Sequence, residues 1–508
     1  METIESTNCS LIYCTTALAI FIGLFYAYAK YKLSYWSRRG VKTPPTHLIF
    51  GNFKDALLFK KPPAEMMREI YDSADPEDPY IGFYIFHKPM LLLRDHDLIK
   101  QTMATHFDIF PNRRFGSSTE TDLLGLRNLF SITSQPVWKY LRTKLTPALT
   151  GQRLKAMMPL IMQCREHLLT YIDGLPTDEN GWTEPQDTLE ISSRYINDVF
   201  ASVIYGTDVN SFDVNNSDFF EAALKILRGF KRAIVVFIYF FIPTLIPLIK
   251  PFSTWPINYF RKRFKATIKY REQTGNKRGD FVDFLIMLKN GEENPLFKFE
   301  SENALLAQAS GFYVAGFESS GTLIAWAIYE LAHNPEYQNT LYEEIKKYLS
   351  GKEITMELIN EMPFLDCVVN EALRLHPPIP VVDRIAEKDF EVPETGLVIE
   401  KGVSIYVSIN STNQDSRYFN DSCNFVPLRE TKNKKFYESL TFGIGPRSCT
   451  AQRLTSLVAK ITLINFVLNY EISLSHKNEE IKNETSELTV HIFKYPIDGL
   501  NVRFKKRE

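Results

Sequence analysis

The chain has 508 residues, 44% of them hydrophobic, and carries 59 basic against 60 acidic side chains for a net charge of −1. That balance argues against nucleic acid as a partner, and six cysteines without paired spacing argue against a disulfide framework or a zinc finger. Length alone suggests several domains, yet no linker-like stretch divides the chain.

The first element is a mostly apolar stretch of transmembrane length from Leu11 to Ala29, preceded by Glu2 and Glu5 and followed by Lys30, Lys32, Arg38 and Arg39. A cleaved signal peptide carries its positive charge before the apolar core. Here the charge follows, which by the positive-inside rule keeps the rest of the chain cytosolic. Residues 1–32 are expected to form an uncleaved membrane anchor and 33–508 a single folded body, entered through the stiff Pro44-Pro45 pair. In a reducing cytosol the cysteines, including Cys9 and Cys14 beside or within the anchor, stay unpaired, and the sequon Asn410-Ser411-Thr412 stays unmodified.

Trp138 and Arg142 lie four apart in Trp-Lys-Tyr-Leu-Arg, on one face of an expected helix; alone they read as a surface aromatic–arginine stack. The apolar run Ala233–Ile249 is interrupted by Pro243 and Pro247 and is too short to span a bilayer, which needs about 20 apolar residues. It reads as a segment that dips into a membrane surface, or as a buried core helix. A long apolar helix is expected through Ala307–Thr322 to Asn334-Pro335. Gly316, Ser319, Ser320 and Gly321 are poor helix formers there, a glycine costing up to about 1 kcal/mol relative to alanine. Breaks of local rules tend to mark functional sites; the alternative is a notch for packing another helix.

Glu371 and Arg374 sit three apart, between Val368, Val369, Leu373 and Leu375. Apolar neighbours on several sides predict a buried ion pair, which needs further hydrogen-bond partners. Near the C-terminus, Phe442-Gly-Ile-Gly-Pro-Arg-Ser-Cys449 is a glycine-rich loop. It feeds a helix whose Leu454, Leu457, Ile461, Ile464 and Leu468 place one face inward. Cys449 thus stands at a helix N-terminus, where free amides, the helix dipole and Arg447 favour a thiolate. A phosphate-binding loop is excluded because no Lys-Ser or Lys-Thr pair follows the glycines. Zinc is excluded for want of partner ligands. A metal that accepts one protein ligand remains, and haem iron is such a metal. The plain alternative, a buried structural cysteine, is preferred for Cys164, Cys367 and Cys423.

With these motifs in this order, the sequence resembles the cytochrome P-450 family, whose cysteine loop reads Phe-x-x-Gly-x-Arg-x-Cys-x-Gly and is matched at Phe442, Gly445, Arg447 and Cys449. The family's Ala-Gly-x-Glu-Thr motif is matched by Ala315, Gly316, Glu318 and Ser319. Its Glu-x-x-Arg pair is matched by Glu371 and Arg374, and Pro427-Leu-Arg429-Glu is similar to its Pro-x-Arg-Phe element. The resemblance spans essentially the whole chain and is strongest to the animal microsomal branch containing insect detoxification and vertebrate drug-oxidising enzymes. It implies a mainly α fold with a small β region, a helical prism holding haem b between the long central helix and the cysteine loop. The implied catalytic body is 33–508.

By the same resemblance, Cys449 is the axial thiolate. Arg447, Trp138, Arg142, Arg384 and Arg113 contact the haem or its propionates, and Glu318 and Ser319 deliver protons to bound dioxygen. Glu371, Arg374 and Arg429 form a structural triad. The implied reaction inserts one oxygen atom into a lipophilic xenobiotic or endogenous lipid or hormone. Electrons come from an NADPH-dependent reductase, with cytochrome b5 as an accessory donor, at the endoplasmic reticulum membrane. Lys139, Lys144, Lys432, Lys434 and Lys435 are expected to face the donor, and Phe107–Phe130, Ala233–Ile249, Phe312–Phe317 and Val381–Asp383 to line the substrate pocket. The alternatives are a haem-thiolate isomerase or dehydratase, or a non-enzymatic haem carrier. Three departures bear on them. Ser319 replaces threonine, Thr450 places a hydroxyl able to reach the sulfur, and Ala451 stands where the family has glycine, which matters only if the backbone needs positive φ.

Overall fold

The computed structural model describes residues 2–114, 128–133, 135–213, 217–228, 230–248, 254–291, 294–430, 440–475 and 499–508. They gather into two compact units, one comprising Met1–Asn112 with Val381–Thr412 and the other Arg113–Pro380 with Asn413–Glu508. The first is built around a sheet and the second mainly from helices, with a three-stranded sheet from Gln186–Asp187, Tyr470–Leu474 and Asn501–Lys506, so the mainly α composition with a small β region is as expected.

The sheet unit begins with helix α1 (Glu2–Leu33), which is long and apolar enough to cross a membrane and is exposed along most of its length. Strands β1 (Tyr80–Ile85) and β2 (Lys88–Leu93) form an antiparallel hairpin. β3 (Val381–Ile385) and β4 (Ser404–Ser408) complete the sheet in the order β1-β2-β4-β3, with β2 and β4 parallel. The segment after α1 is fixed to this sheet by Trp36, whose indole Nε1 donates to the Phe83 carbonyl at 3.3 Å. Its backbone N–H donates to the Tyr84 hydroxyl at 3.0 Å. Only glycine fits at position 82, because a β-carbon there would stand 2.6 Å from Trp36 Cγ. Tyr35 and Arg39 both bind Glu400, so the aromatic–basic run that follows α1 is a docking strip for the sheet.

The helical unit is organised on α8, and the helices that matter to the site are, in chain order, α2 (Gln135–Leu145), α3 (Gly151–Asp173), α4 (Thr188–Tyr205), α5 (Asp218–Leu227) and α6 (Phe230–Phe241). They continue with α7 (Thr254–Thr274), α8 (Glu302–His333), α9 (Pro363–Leu375) and α10 (Gln452–Asn469). Ser301 caps α8, its hydroxyl accepting from the Ala304 N–H at 3.0 Å. The helix then runs unbroken for 32 residues, so the expected weakening around Gly316 does not interrupt it. Its neighbours supply the missing stability: α4 packs along it, and α9 and α10 pack on other sides. α10 is buried on nearly every side rather than on one face, Val458, Ala459, Leu463 and Phe466 being as enclosed as Leu454 and Ile461. Leu468 is only half-buried. The apolar segment from Ala233 is partly described. From Ile234 to Pro243 its side chains are buried or half-buried, and Thr244 and Leu245 are exposed.

Candidate haem-thiolate site

The cysteine loop is shaped by two glycines in the left-handed region, Gly443 at φ 77° and Gly445 at φ 76°, where L side chains are strained. They fold the loop back so that the Cys449 N–H donates to the Phe442 carbonyl at 2.7 Å, leaving the sulfur at the start of α10. The backbone N–H groups of Ala451 and Gln452 reach it, and the charges of Arg142 and Arg113 act on it. These favour the thiolate, yet burial among protein atoms outweighs them and pushes the free thiol above its ordinary value. The expectation of ready ionisation is corrected on that ground. A coordinated metal deprotonates a thiol outright. Ala451 has φ −98° and ψ 10°, a conformation alanine adopts without strain, and the Thr450 hydroxyl makes no hydrogen bond to the sulfur.

Three arginines and a tryptophan converge on this loop. Arg142, in the last turn of α2, donates from Nη1 to the Ser448 carbonyl at 2.7 Å and from Nη2 to the Ser448 hydroxyl at 3.4 Å. Arg447 lays its guanidinium over the Trp138 ring, 4.1 Å from the centroid, and donates to the Ile132 carbonyl at 3.1 Å. Arg113 donates to the Arg447 carbonyl at 3.2 Å and covers the Phe130 ring at 4.5 Å. Trp138 and Arg142, which alone read as a surface stack, are therefore part of the cysteine loop's surroundings, with Trp138 buried. Arg384 belongs to the sheet unit: it is buried on β3 opposite Ile405 and donates to the Asp383 carbonyl at 2.6 Å.

The residues present suit a haem. Among the described residues no group of three or more His, Cys, Asp or Glu could hold a bare metal ion; haem iron accepts a single protein ligand, which Cys449 can supply. Cys449 is crowded by protein yet retains exposed surface, and Ala315 is exposed within an otherwise buried turn of α8. The arginine set matches two carboxylates, since a guanidinium fork binds such a group through paired hydrogen bonds.

On α8, the Ser319 hydroxyl donates to the Ala315 carbonyl at 2.7 Å, and Glu318 is buried. Gly311, Ala315 and Ser319 retain some exposure, whereas Phe312, Tyr313 and Phe317 are buried. Phe312 packs on Phe281, while Tyr313 and Phe317 pack against Phe219 and Phe220. The expectation that Phe312–Phe317 as a whole lines a pocket is corrected for Phe312, Tyr313 and Phe317, which face other rings, while Val314 and Ala315 keep some surface. Helical phase, which the aromatic content obscured, is the reason. Of the segment 107–130, residues 115–127 lie outside the described residues, as do Lys432, Lys434, Lys435 and Ile249; Lys139 and Lys144 are exposed on α2.

Behind the site, Glu371 receives Arg374 Nε and Nη2 at 2.8 Å each, Arg429 Nε at 3.1 Å and the Val426 N–H at 3.0 Å. Arg374 Nη1 also donates to the Asn413 and Ser422 carbonyls at 2.8 and 2.7 Å. The three charged residues thus stand together, buried and heavily hydrogen-bonded. Sequence reasoning missed a second cluster. His376 stacks on Trp326, ring centroids 3.8 Å apart and planes 7° from parallel, while its Nε2 lies 2.6 Å from Glu330 Oε1. This ties the end of α9 to α8, and no spacing rule connects positions so far apart in sequence. Cys164 is buried as expected, but Cys367 is half-buried and Cys423 is exposed, so the structural reading fails for Cys423.

The family profile described as Cytochrome P450 matches residues 41–497. The chain belongs to that family, whose members bind haem iron through a cysteine thiolate, and it is a haem-dependent monooxygenase. It is 34% identical over 494 residues to Cytochrome P450 6k1 of Blattella germanica, covering 92% of each chain. It is 33% identical over 483 residues to Probable cytochrome P450 6g2 of Drosophila melanogaster, covering 91% of this chain and 92% of that protein.

Proposed function

We propose that the protein is a membrane-anchored monooxygenase of the endoplasmic reticulum that oxidises lipophilic small molecules, xenobiotic or endogenous. Residues 1–32 form its anchor and 33–508 its catalytic body, with an NADPH-dependent diflavin reductase as electron donor and cytochrome b5 as accessory donor. The observation that carries the reading is the convergence of Trp138, Arg142, Arg113 and Arg447 on the loop of Cys449. Bound haem supplies oxygen activation, and a thiolate ligand favours cleavage of the O–O bond. Cys449 would hold the haem iron through its sulfur. Arg142, Arg113 and Arg447, with Trp138, hold the propionate side, and Arg384 is assigned the same task on the resemblance alone. Ser319 Oγ, anchored on the Ala315 carbonyl, passes protons supplied by Glu318. Glu371, Arg374 and Arg429 hold the framework.

The exposed Lys139 and Lys144 support docking of an acidic electron donor. The exposed α1 and Leu245 support contact with membrane lipid. No observation favours the carrier reading, since Ala451 takes an ordinary negative φ. The buried Glu318 beside Ser319 disfavours an isomerase or dehydratase. The test is the reduced, carbon-monoxide-bound spectrum of the membrane-expressed protein beside Cys449→Ala, followed by NADPH consumption and product formation with reductase. A thiolate-type Soret band that disappears in the variant is expected; a band at the shorter wavelength of a neutral ligand overturns the assignment of Cys449.

A further inference from the structure

Helices α4 and α8 run antiparallel in contact, and a ladder of pairs joins them. The Thr188 hydroxyl donates to the Ala325 carbonyl at 3.2 Å, and Ser193 lies against Gly321, its Cα 3.8 Å from where a β-carbon would stand. Tyr313 donates to Asn197, and the Tyr205 and Ser310 hydroxyls lie 2.8 Å apart. The tightest rung is Phe200 against Gly316. A β-carbon at 316 would stand 2.0 Å from Phe200 Cε1 and 2.4 Å from Cζ, so the ring touches the helix backbone itself. Phe200 is 1% exposed, and a close-packed interior leaves such a ring no room to withdraw.

This rung falls beside the chemistry. Gly316 follows Ala315, the residue whose carbonyl holds the Ser319 hydroxyl, and Ala315 and Ser319 retain exposure where Gly316 is buried. Any displacement of this turn relative to α4 therefore displaces the Ala315 carbonyl and the Ser319 hydroxyl with it.

We propose that Phe200 is a positioning residue for proton delivery. By filling the notch at Gly316 it sets where the Ala315–Ser319 turn stands, and therefore where the Ser319 hydroxyl is presented. The glycine is then required for contact with α4, and the turn is placed by a neighbouring helix rather than by its own flexibility. The inference rests on the role given above to Ser319.

The test compares full-length Gly316→Ala, Phe200→Leu, the double variant and Ser319→Ala. Two readouts are used: the infrared C–O stretch of the reduced carbonyl complex, and hydrogen peroxide formed per NADPH with reductase and no added substrate. Haem content is checked in each. Gly316→Ala is expected to shift or split the band and raise the peroxide share severalfold, and adding Phe200→Leu is expected to restore both. Phe200→Leu alone is expected to broaden the band, and it decides the matter should Gly316→Ala fail to load haem. An unchanged band in Phe200→Leu, or a double variant no nearer wild type than Gly316→Ala, overturns the proposal. Ser319→Ala without effect on either readout overturns instead the role of Ser319.

Discussion

Glu371 and Arg374 form a two-pronged pair, Nε to Oε2 and Nη2 to Oε1, each 2.8 Å long, with both side chains nearly sealed from solvent. Removing one partner leaves a buried charge without its opposite, which costs about 3–5 kcal/mol. Glu371→Ala should therefore lower the unfolding midpoint sharply and yield little haem-loaded protein. Arg374→Lys should fare little better, because an ammonium cannot reproduce the fork. Thermal unfolding with haem content per milligram of protein checks both; a Glu371→Ala variant that loads haem normally and melts like wild type would sink the structural role.

Arg142 bridges α2 to the residue before Cys449. Losing a charged hydrogen bond of this kind costs about 1.5–3 kcal/mol, so Arg142→Ala should weaken haem retention by about tenfold or more, with Arg142→Lys intermediate. The rate of haem transfer to apomyoglobin measures this. Equal rates for all three proteins would remove Arg142 from the cofactor's surroundings.

Ser319 keeps the hydroxyl that threonine would supply, and its bond to the Ala315 carbonyl is already formed at 2.7 Å. What it lacks is the methyl group that restricts χ1. Ser319→Thr should lower peroxide release relative to product while leaving haem binding unchanged, and Ser319→Ala should raise it. Product and peroxide measured in one reaction decide the matter, and an unchanged ratio in Ser319→Thr counts against a rotamer role.

His167 Nδ1 lies 3.4 Å from Asp198 Oδ2. The hydrogen bond to that buried carboxylate lifts the imidazole above its ordinary 6.5, with Asp208 and Glu166 adding to the effect. A group raised in the folded state contributes fully below its unfolded value and loses that contribution as pH climbs through the folded one. Desolvation pushes Asp198 up as well, against the pull of His167 and Ser211, which gives a slope of the same sign at lower pH. The unfolding midpoint should fall as pH rises above 6.5, and His167→Gln should flatten that fall. Parallel curves would show that His167 carries none of it.

Much of this was legible in the sequence because it depends on neighbours along the chain. The cysteine loop, the pair at Glu371 and Arg374, the long helix and the apolar N-terminus each declare themselves within a few residues. What was not legible depends on partners distant in sequence. Gly316 looks like a weak point until Phe200, 116 residues earlier, is seen against it. Phe312 and Phe317 look like pocket lining until helical phase turns them toward Phe281 and Phe220. The thiol of Cys449 looks acidic from its loop alone, because the desolvation that opposes ionisation comes from the surrounding fold.

The attachment of Trp36 to Gly82 and Phe83 has a mechanical consequence. The chain is gripped by the sheet three residues after α1 ends, and Phe25 and Tyr28 of α1 meet His87 edge-on at 5.8 and 5.7 Å. No slack tether lies between them. In a bilayer, α1 would serve as a handle rather than a leash, turning the sheet unit as it leans. Bilayer thickness, which biases how far a helix leans, would then become a setting for that unit's attitude on the membrane.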